Sequence, residues 1–383
     1  MSLHAQNAKK PFPVDITNYV RLQYDDNVYT TNADSPGGII SSWVILEQVE
    51  FLLDTQRGNT YFGLSYSPTY KYYEDRPGDK EDWNQDLNFK LSHDFTPRTS
   101  VNVGYIFRYS DEPSIETGDV TFRNNNDYYF NAVDVSVVTQ VVPEKTSLKF
   151  SGRYVDYAYV DDQVAETSDY QDATAGFDVI QVMDPSSTLA LQLRYSDLQY
   201  KDNFRSSDTT QAGLAYNKTF NPKFTGEIRG GYESLKPTDE NAQDSDNPYV
   251  DATLRYEPLK GNRFAVGLGY NQAKSPVNTF TLQERFVASG SYSTDLTALL
   301  TLDLAGYYSL GNFSEGNATV VYDPEVNSTG DETIITFIAT LSYELNVRNS
   351  LVLNYTYTEL ESEVRPDSDY DRNRGSLGWQ YNF

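Results

Sequence analysis

Gly375-Ser376-Leu377-Gly378-Trp379-Gln380-Tyr381-Asn382-Phe383 closes the chain. Leu377, Trp379, Tyr381 and Phe383 occupy every second position, and Ser376, Gly378, Gln380 and Asn382 fill the alternate ones. Successive side chains of a β-strand point to opposite faces, so this stretch has one aromatic, apolar face and one small, polar face. Chain ends are commonly polar and frayed. A terminal strand that ends on an aromatic residue therefore raises the question of whether the rest of the chain repeats its pattern.

Working outward, the same unit recurs from Ile16 to the end: an alternating strand, a connection, another alternating strand, a second connection. Val101, Val103, Tyr105, Phe107 and Tyr109 share one face, against Ser100, Asn102, Gly104 and Arg108. Phe264, Val266, Leu268 and Tyr270 oppose Ala265, Gly267, Gly269 and Asn271. Leu351, Leu353, Tyr355 and Tyr357 oppose Asn354, Thr356 and Thr358. The alternation predicts strands over 16–31, 39–54, 59–74, 83–95, 99–110, 127–141, 146–160, 170–183, 188–201, 208–220, 224–236, 248–258, 263–274, 279–292, 298–311, 333–345, 350–362 and 372–383. That count is eighteen; losing or gaining one hairpin would give 16 or 20.

The connections form two classes in alternation. Short ones carry turn residues: Gln56-Arg57-Gly58-Asn59, Thr96-Pro97-Arg98, Asp184-Pro185-Ser186-Ser187, Lys260-Gly261-Asn262 and Ser293-Thr294-Asp295 among them. Long ones are acidic: Asp75–Asp82, Asp111–Asn126, Asp161–Asp169, Pro237–Asn247, Asn312–Glu332 and Glu363–Asp371. A soluble sandwich or propeller also alternates, but its strands cluster near ~5–6 residues, far shorter than these. The expected fold class is all-β: a transmembrane antiparallel up-and-down β-barrel of 18 strands spanning 16–383 as one domain, with 1–15 as a periplasmic N-terminal segment. Met1–Ala8 lacks the apolar core of a secretion signal; Leu3-His4-Ala5 fits the end of a cleavage site as well as it fits an arbitrary start.

Composition bounds the function. Only 38% of the 383 residues are hydrophobic, and no run approaches the ~18–20 apolar residues of a membrane-spanning helix. A barrel needs only every second residue to be apolar. There are 32 Tyr, 19 Phe and 3 Trp, residues favoured in strands and at membrane–water interfaces. The net charge of −25 argues against a nucleic-acid partner. With no Cys and only His4 and His93, thiolate chemistry is excluded and there is little material for a metal centre or a histidine-based active site. His93 and Asp94 fall beside a short turn. No cofactor and no enzymatic activity are expected.

Eighteen strands with a polar inner face enclose water rather than a dry core. Parity turns Arg108, Arg153, Arg194, Arg229, Arg255 and Arg285 inward, with Arg21, Arg372 and Arg374 joining them where the sheet would close. Glu227, Asp251, Asp303 and Asp178 share the inner face. These arginines either form a basic wall that orients solutes or pair with neighbouring lumen carboxylates and solvate the wall. The acidic long connections act as a cation-enriching vestibule or as solvated loops. Asn312–Glu332 and Asp111–Asn126, the longest connections, are the candidates for a constriction.

The C-terminal pattern resembles the last strand of bacterial outer-membrane β-barrels, which the barrel-assembly machinery reads; Trp379, Tyr381 and Phe383 would carry that signal. Tyr24-Asp25-Asp26-Asn27-Val28-Tyr29 resembles the opening strand of the putative β-barrel porins of Gram-negative bacteria. The resemblance implies an integral outer-membrane channel for passive diffusion of small hydrophilic solutes, with acidic outer loops favouring cations. Outer-membrane lipids and the assembly machinery are then the expected partners. Export of an exopolysaccharide, or a structural or adhesive barrel with a plugged lumen, are the alternatives. Porins are often homotrimers, but the outward faces show no anomaly that marks an interface, so the oligomeric state stays open.

Overall fold

The computed structural model describes residues 14–33, 37–111, 127–239, 242–275, 277, 279–314 and 326–383. Eighteen antiparallel strands, β1 to β18, pair each with its sequence neighbour, and β1 pairs with β18 to close the sheet. The closing seam runs from Thr17↔Asn382 to Asp25↔Arg374. Strands are 12 to 17 residues long, from β1 (Val14–Asp25) and β5 (Thr99–Ser110) to β16 (Gly330–Asn346). That is long enough for a tilted strand to cross a bilayer.

The short turns build themselves from their last strand residue. Asp184, Asn221 and Asn346 each accept the backbone N–H two residues on, at 2.8, 2.9 and 3.0 Å. Thr96 does the same for Arg98 at 3.2 Å. These side chains replace the ladder bond that a reversing backbone loses. Gly58 and Gly261 sit in two-residue turns at φ 58° and 84°, where a side chain would be strained.

Most strand boundaries match the sequence expectation within a few residues; three features differ. β1 stops at Asp25 rather than at residue 31. Asp25 Oδ1 accepts Asn27 N at 3.2 Å, Asn27 Oδ1 accepts Thr31 N at 3.1 Å, and Thr30 takes φ 52°. The Asp-Asp-Asn run therefore turns the chain instead of extending the strand. β14 (Leu282–Asp295) runs through Ser293–Asp295, and the reversal falls at 296–299 before β15 (Leu300–Phe313). No Gly or Pro marks that turn. Within the connection expected at Asp161–Asp169 lies a helix, α1 (Asp162–Ser168), capped by Asp161, whose carboxylate accepts Gln163 N at 2.8 Å.

Alternation assigns the two faces. Leu377, Trp379 and Phe383 are outward and exposed, while Ser376 and Gly378 are turned inward. Register carries this parity from strand to strand: Leu353↔Leu377, Leu302↔Leu341, Phe264↔Tyr292 and Leu193↔Phe177 all lie outside. Exposed aliphatic side chains thus form a belt, edged by Trp379, Tyr381 and Phe383 at the short-turn rim and by Tyr24, Trp43, Tyr72 and Trp83 at the other. Such a belt faces hydrocarbon, with aromatics at its interfaces. Neighbouring strands pair along most of their length, and closure leaves no strand edge of the sheet exposed in lipid.

Candidate functional site

The inner face carries the polar chemistry. Arg108, Arg153, Arg194, Arg229, Arg255 and Arg285 all have inward parity. Four of them meet carboxylates on the adjoining strand. Arg108 Nε lies 3.0 Å from Asp86, directly opposite in register on β4 (Glu81–Thr96). Arg153 Nη1, on β7 (Thr146–Tyr159), lies 3.3 Å from Asp134 on β6 (Tyr128–Val142). Arg194, on β9 (Ser187–Tyr200), crosses Gly176 to bond Asp178 on β8 (Tyr170–Asp184). Arg229 Nε, on β11 (Phe224–Pro237), lies 3.5 Å from Asp251 on β12 (Ser245–Leu259).

These pairs are not equivalent. Asp178 is buried under Arg194, at 4% side-chain exposure. Arg153 and Arg229 remain 46% and 51% exposed and face the lumen water. An exposed pair is weak, about 0–1 kcal/mol, so both guanidinium groups stay available to a passing solute.

Two cavities meet at this level. One, of about 660 Å³, is lined by Lys90, Lys149, Arg153, Arg194 and Arg229, with Asp134 as the carboxylate in its wall. The other, about 380 Å³, is lined by Arg194, Arg229, Tyr249, Asp251, Arg285 and Tyr307 among others. Arg194 and Arg229 line both, so they stand where the two spaces join. A third cavity near the short-turn rim brings Arg255 and Arg263 beside Asp303. Glu227 faces the lumen opposite Thr253 and Asn217, away from the Arg229–Asp251 pair. Lys90, Lys149 and Arg263 were not singled out from the sequence, although the parity of Phe89 and Leu91 outward already turns Lys90 inward.

At the seam, Arg372 on β18 (Tyr370–Asn382) donates to Asp25 through Nε at 2.9 Å, and both groups are buried. Arg374 faces inward opposite Asp25 and Thr356. Arg21 lies inward with its guanidinium 5.5 Å from the Tyr19 ring centre.

Among the described residues, the end of β13 (Asn262–Lys274) and the residues described after it fold inward, which the sequence did not suggest. Lys274 Nζ reaches Asp172 on β8 at 2.9 Å, although β13 and β8 are five strands apart in the sheet. Gln272 N donates to Glu233 Oε1 at 2.5 Å, and Gln211 donates to Glu233 Oε2 at 2.8 Å. Arg205 donates to Ser275 O at 3.5 Å and also bonds Thr167 O. Beyond it, Phe280 packs on the inward-facing Phe313, ring centres 5.0 Å apart, with Val277 and Val364 in the same buried cluster. The expected constrictions fall largely outside the described residues, at 112–126 and 315–325.

Several carboxylates of the long connections cap backbone N–H groups. Asp169 accepts Tyr159 N at 2.8 Å, Asp369 accepts Ser362 N at 2.7 Å, and Glu363 accepts Asp331 N at 3.2 Å. Those side chains have local structural work in addition to any field they create. No group of three or more metal-ligating side chains occurs among the described residues. His93 faces outward, bonded to Thr60 Oγ1 at 2.8 Å and edge-on to Phe95, away from the lumen.

Residues 17–383 match the family model described as Putative beta-barrel porin 2. Among solved structures, a BenF-like porin from Pseudomonas fluorescens Pf-5 is 14% identical, with TM-score 0.53 over 97% of this chain and 99% of that one. Pseudomonas aeruginosa OccK2 in complex with glucuronate is 14% identical, TM-score 0.51, over 97% and 98%. Pseudomonas aeruginosa OpdK with vanillate is 11% identical, TM-score 0.51, over 97% and 99%. No curated protein matches the sequence.

Proposed function

Because this chain belongs to the putative beta-barrel porin 2 family, an outer-membrane channel for small solutes, we propose that its basic waist selects what passes. The observation that carries this reading is the cavity lined by Lys90, Lys149, Arg153, Arg194 and Arg229, five cations against Asp134 in the wall and the Asp178 and Asp251 partners of Arg194 and Arg229. An excess of fixed positive charge along the passage attracts a carboxylate and orients it on the way through. The acidic outer connections act on a different population. They enrich small cations at the mouth, within about a Debye length of ~8–10 Å. The pore is therefore cation-favouring for simple salts and holds carboxylate-bearing organic solutes transiently at its waist.

Glucuronate and vanillate, bound in two of the fold neighbours, each carry one carboxylate and make suitable probes. The experiment is single-channel recording in a planar bilayer. A KCl gradient is expected to give a cation-favouring reversal potential, and added glucuronate is expected to produce brief current interruptions. A folded protein that never conducts would overturn the channel reading in favour of a plugged structural barrel. Conductance with no glucuronate response would overturn the waist site alone.

A further inference from the structure

The outward face, expected from the sequence to show no anomaly, carries one. Glu47 lies on the outer side of β2 (Ser42–Arg57), between Ile45 and Val49 on the same face, and is exposed. Four residues above it is Trp43 of the aromatic rim; below it run Val49, Phe51 and Leu53. At ~3.3 Å per residue on a tilted strand, the carboxylate sits roughly 10 Å inside an apolar belt about 25 Å tall. Its register partners are Val20 and Tyr70. Among the described residues, the donor recorded for it is Asn18 Nδ2, at 3.0 Å, also on the outer face.

The anomaly is a patch rather than a point. Asn18, Val49, Pro68 and Gln85 occupy one register row across β1 to β4, with Glu47 one step above. Pro68, on β3 (Thr60–Tyr73), has no N–H to donate, and the β2–β3 ladder is interrupted there, between Gln48↔Thr69 and Phe51↔Tyr66. Gln85 accepts from Tyr66 Oη at 3.2 Å on the same surface. The outward middle positions of the β13–β18 wall are apolar by contrast: Leu268, Ala288, Leu304, Ala339, Leu353 and Leu377.

A carboxylate, an amide pair and a ladder-breaking proline facing hydrocarbon together are costly, and intramembrane ionisable groups are usually covered or paired. We propose that the β1–β4 face, centred on Glu47 and Asn18, is the contact surface for a second copy of this chain. Copies inserted with the same orientation are related by an axis along the membrane normal, which keeps every residue at its own depth. Asn18 and Glu47 adjoin in height and carry complementary groups, amide donor and carboxylate acceptor. A two-fold axis through this face sets the Asn18 of each copy against the Glu47 of the other. An unrelated partner would have to supply that donor at the same depth; a second copy already has it.

The chain has no cysteine, so engineered thiols report contacts without background. Val49→Cys, on the proposed contact face, is expected to form an oxidised dimer in lipid vesicles, while Leu268→Cys, on the far wall, is not. Native mass spectrometry of the unmodified protein in nanodiscs is expected to give an oligomeric mass. Glu47→Leu should fold and conduct as before, with its dimer fraction at least about tenfold lower. A monomeric mass for the unmodified protein, equal cross-linking at both cysteine positions, or an undiminished dimer in Glu47→Leu would each overturn the proposal. Single-channel conductance is read separately and does not depend on the outcome.

Discussion

Replacing Arg153 and Arg229 by Gln tests the waist directly. Both face the 660 Å³ cavity, and their exposures of 46% and 51% mean that neither substitution leaves a buried charge behind. Arg194 is a worse choice, because losing it would strand Asp178 at 4% exposure. Two unit charges 4 Å apart attract by about 1 kcal/mol in bulk water and about 4 at an effective dielectric of 20. Half-exposed groups lie toward the watery limit, so each arginine contributes about 0.5–1 kcal/mol to holding a carboxylate. Each variant also uncovers a former partner, Asp134 or Asp251, which repels the same solute. The two positions are four strands apart in the wall, so their effects should add to about 1–2 kcal/mol, or about 5–30-fold in dissociation constant. The assay is the concentration dependence of glucuronate-induced current block, with uncharged glucose as the control solute. The reversal potential in KCl should shift further toward cations in the double variant. A double variant that blocks like the parent, or one in which glucose is affected equally, would refute the electrostatic argument.

Three further outcomes follow from the geometry. Asp25→Ala removes the carboxylate that the buried Arg372 donates to across the closing seam, and should cost about 3–5 kcal/mol in urea unfolding of the detergent-folded barrel; a change below about 1 kcal/mol would show that the pair does not hold the seam. Glu233→Ala removes the acceptor that anchors Gln272 N of the inward-folded end of β13 and that Gln211 of the wall also bonds, and should raise single-channel conductance; unchanged conductance would mean that this segment does not limit the path. Deleting Phe383 removes an exposed aromatic whose N–H bonds Ile16 O at 3.0 Å, and should lower the amount of barrel assembled in cells while purified chains still refold in detergent. Equal cellular yields would show that the terminal residue is not part of the assembly signal.

The architecture was legible because it depends on nearest neighbours in sequence. A hairpin's faces follow from residue parity, and its turn from two to four residues of local chemistry, so strand number and the parity of Arg108, Arg153, Arg194 and Arg229 with their small, polar neighbours could be read without coordinates. The same locality explains the errors at Asp25 and Asp295. Past Asp25 the β-formers Val28, Tyr29, Thr30 and Thr31 extend the apparent strand, while side-chain capping by Asp25 and Asn27 ends it; the turn at 296–299 lacks Gly and Pro altogether.

Three features needed the closed sheet. Which carboxylate meets which arginine depends on register, which joined Asp86 and Asp134 to the arginines opposite them. The reach of Lys274 to Asp172 joins residues 102 positions apart (274 − 172) whose strands are not neighbours; only the inward fold at the end of β13 brings them within 2.9 Å. Glu47 reads as one polar residue in an otherwise apolar alternation until its row is followed across β1 to β4, where Asn18, Pro68 and Gln85 gather beside it. By itself, then, the sequence determined the barrel and its membrane face, because alternation is a property of consecutive residues. The tertiary structure decided the ion-pair partners, the inward fold at the end of β13 and the polar patch on the lipid face, because each joins residues that only barrel closure and strand register make neighbours.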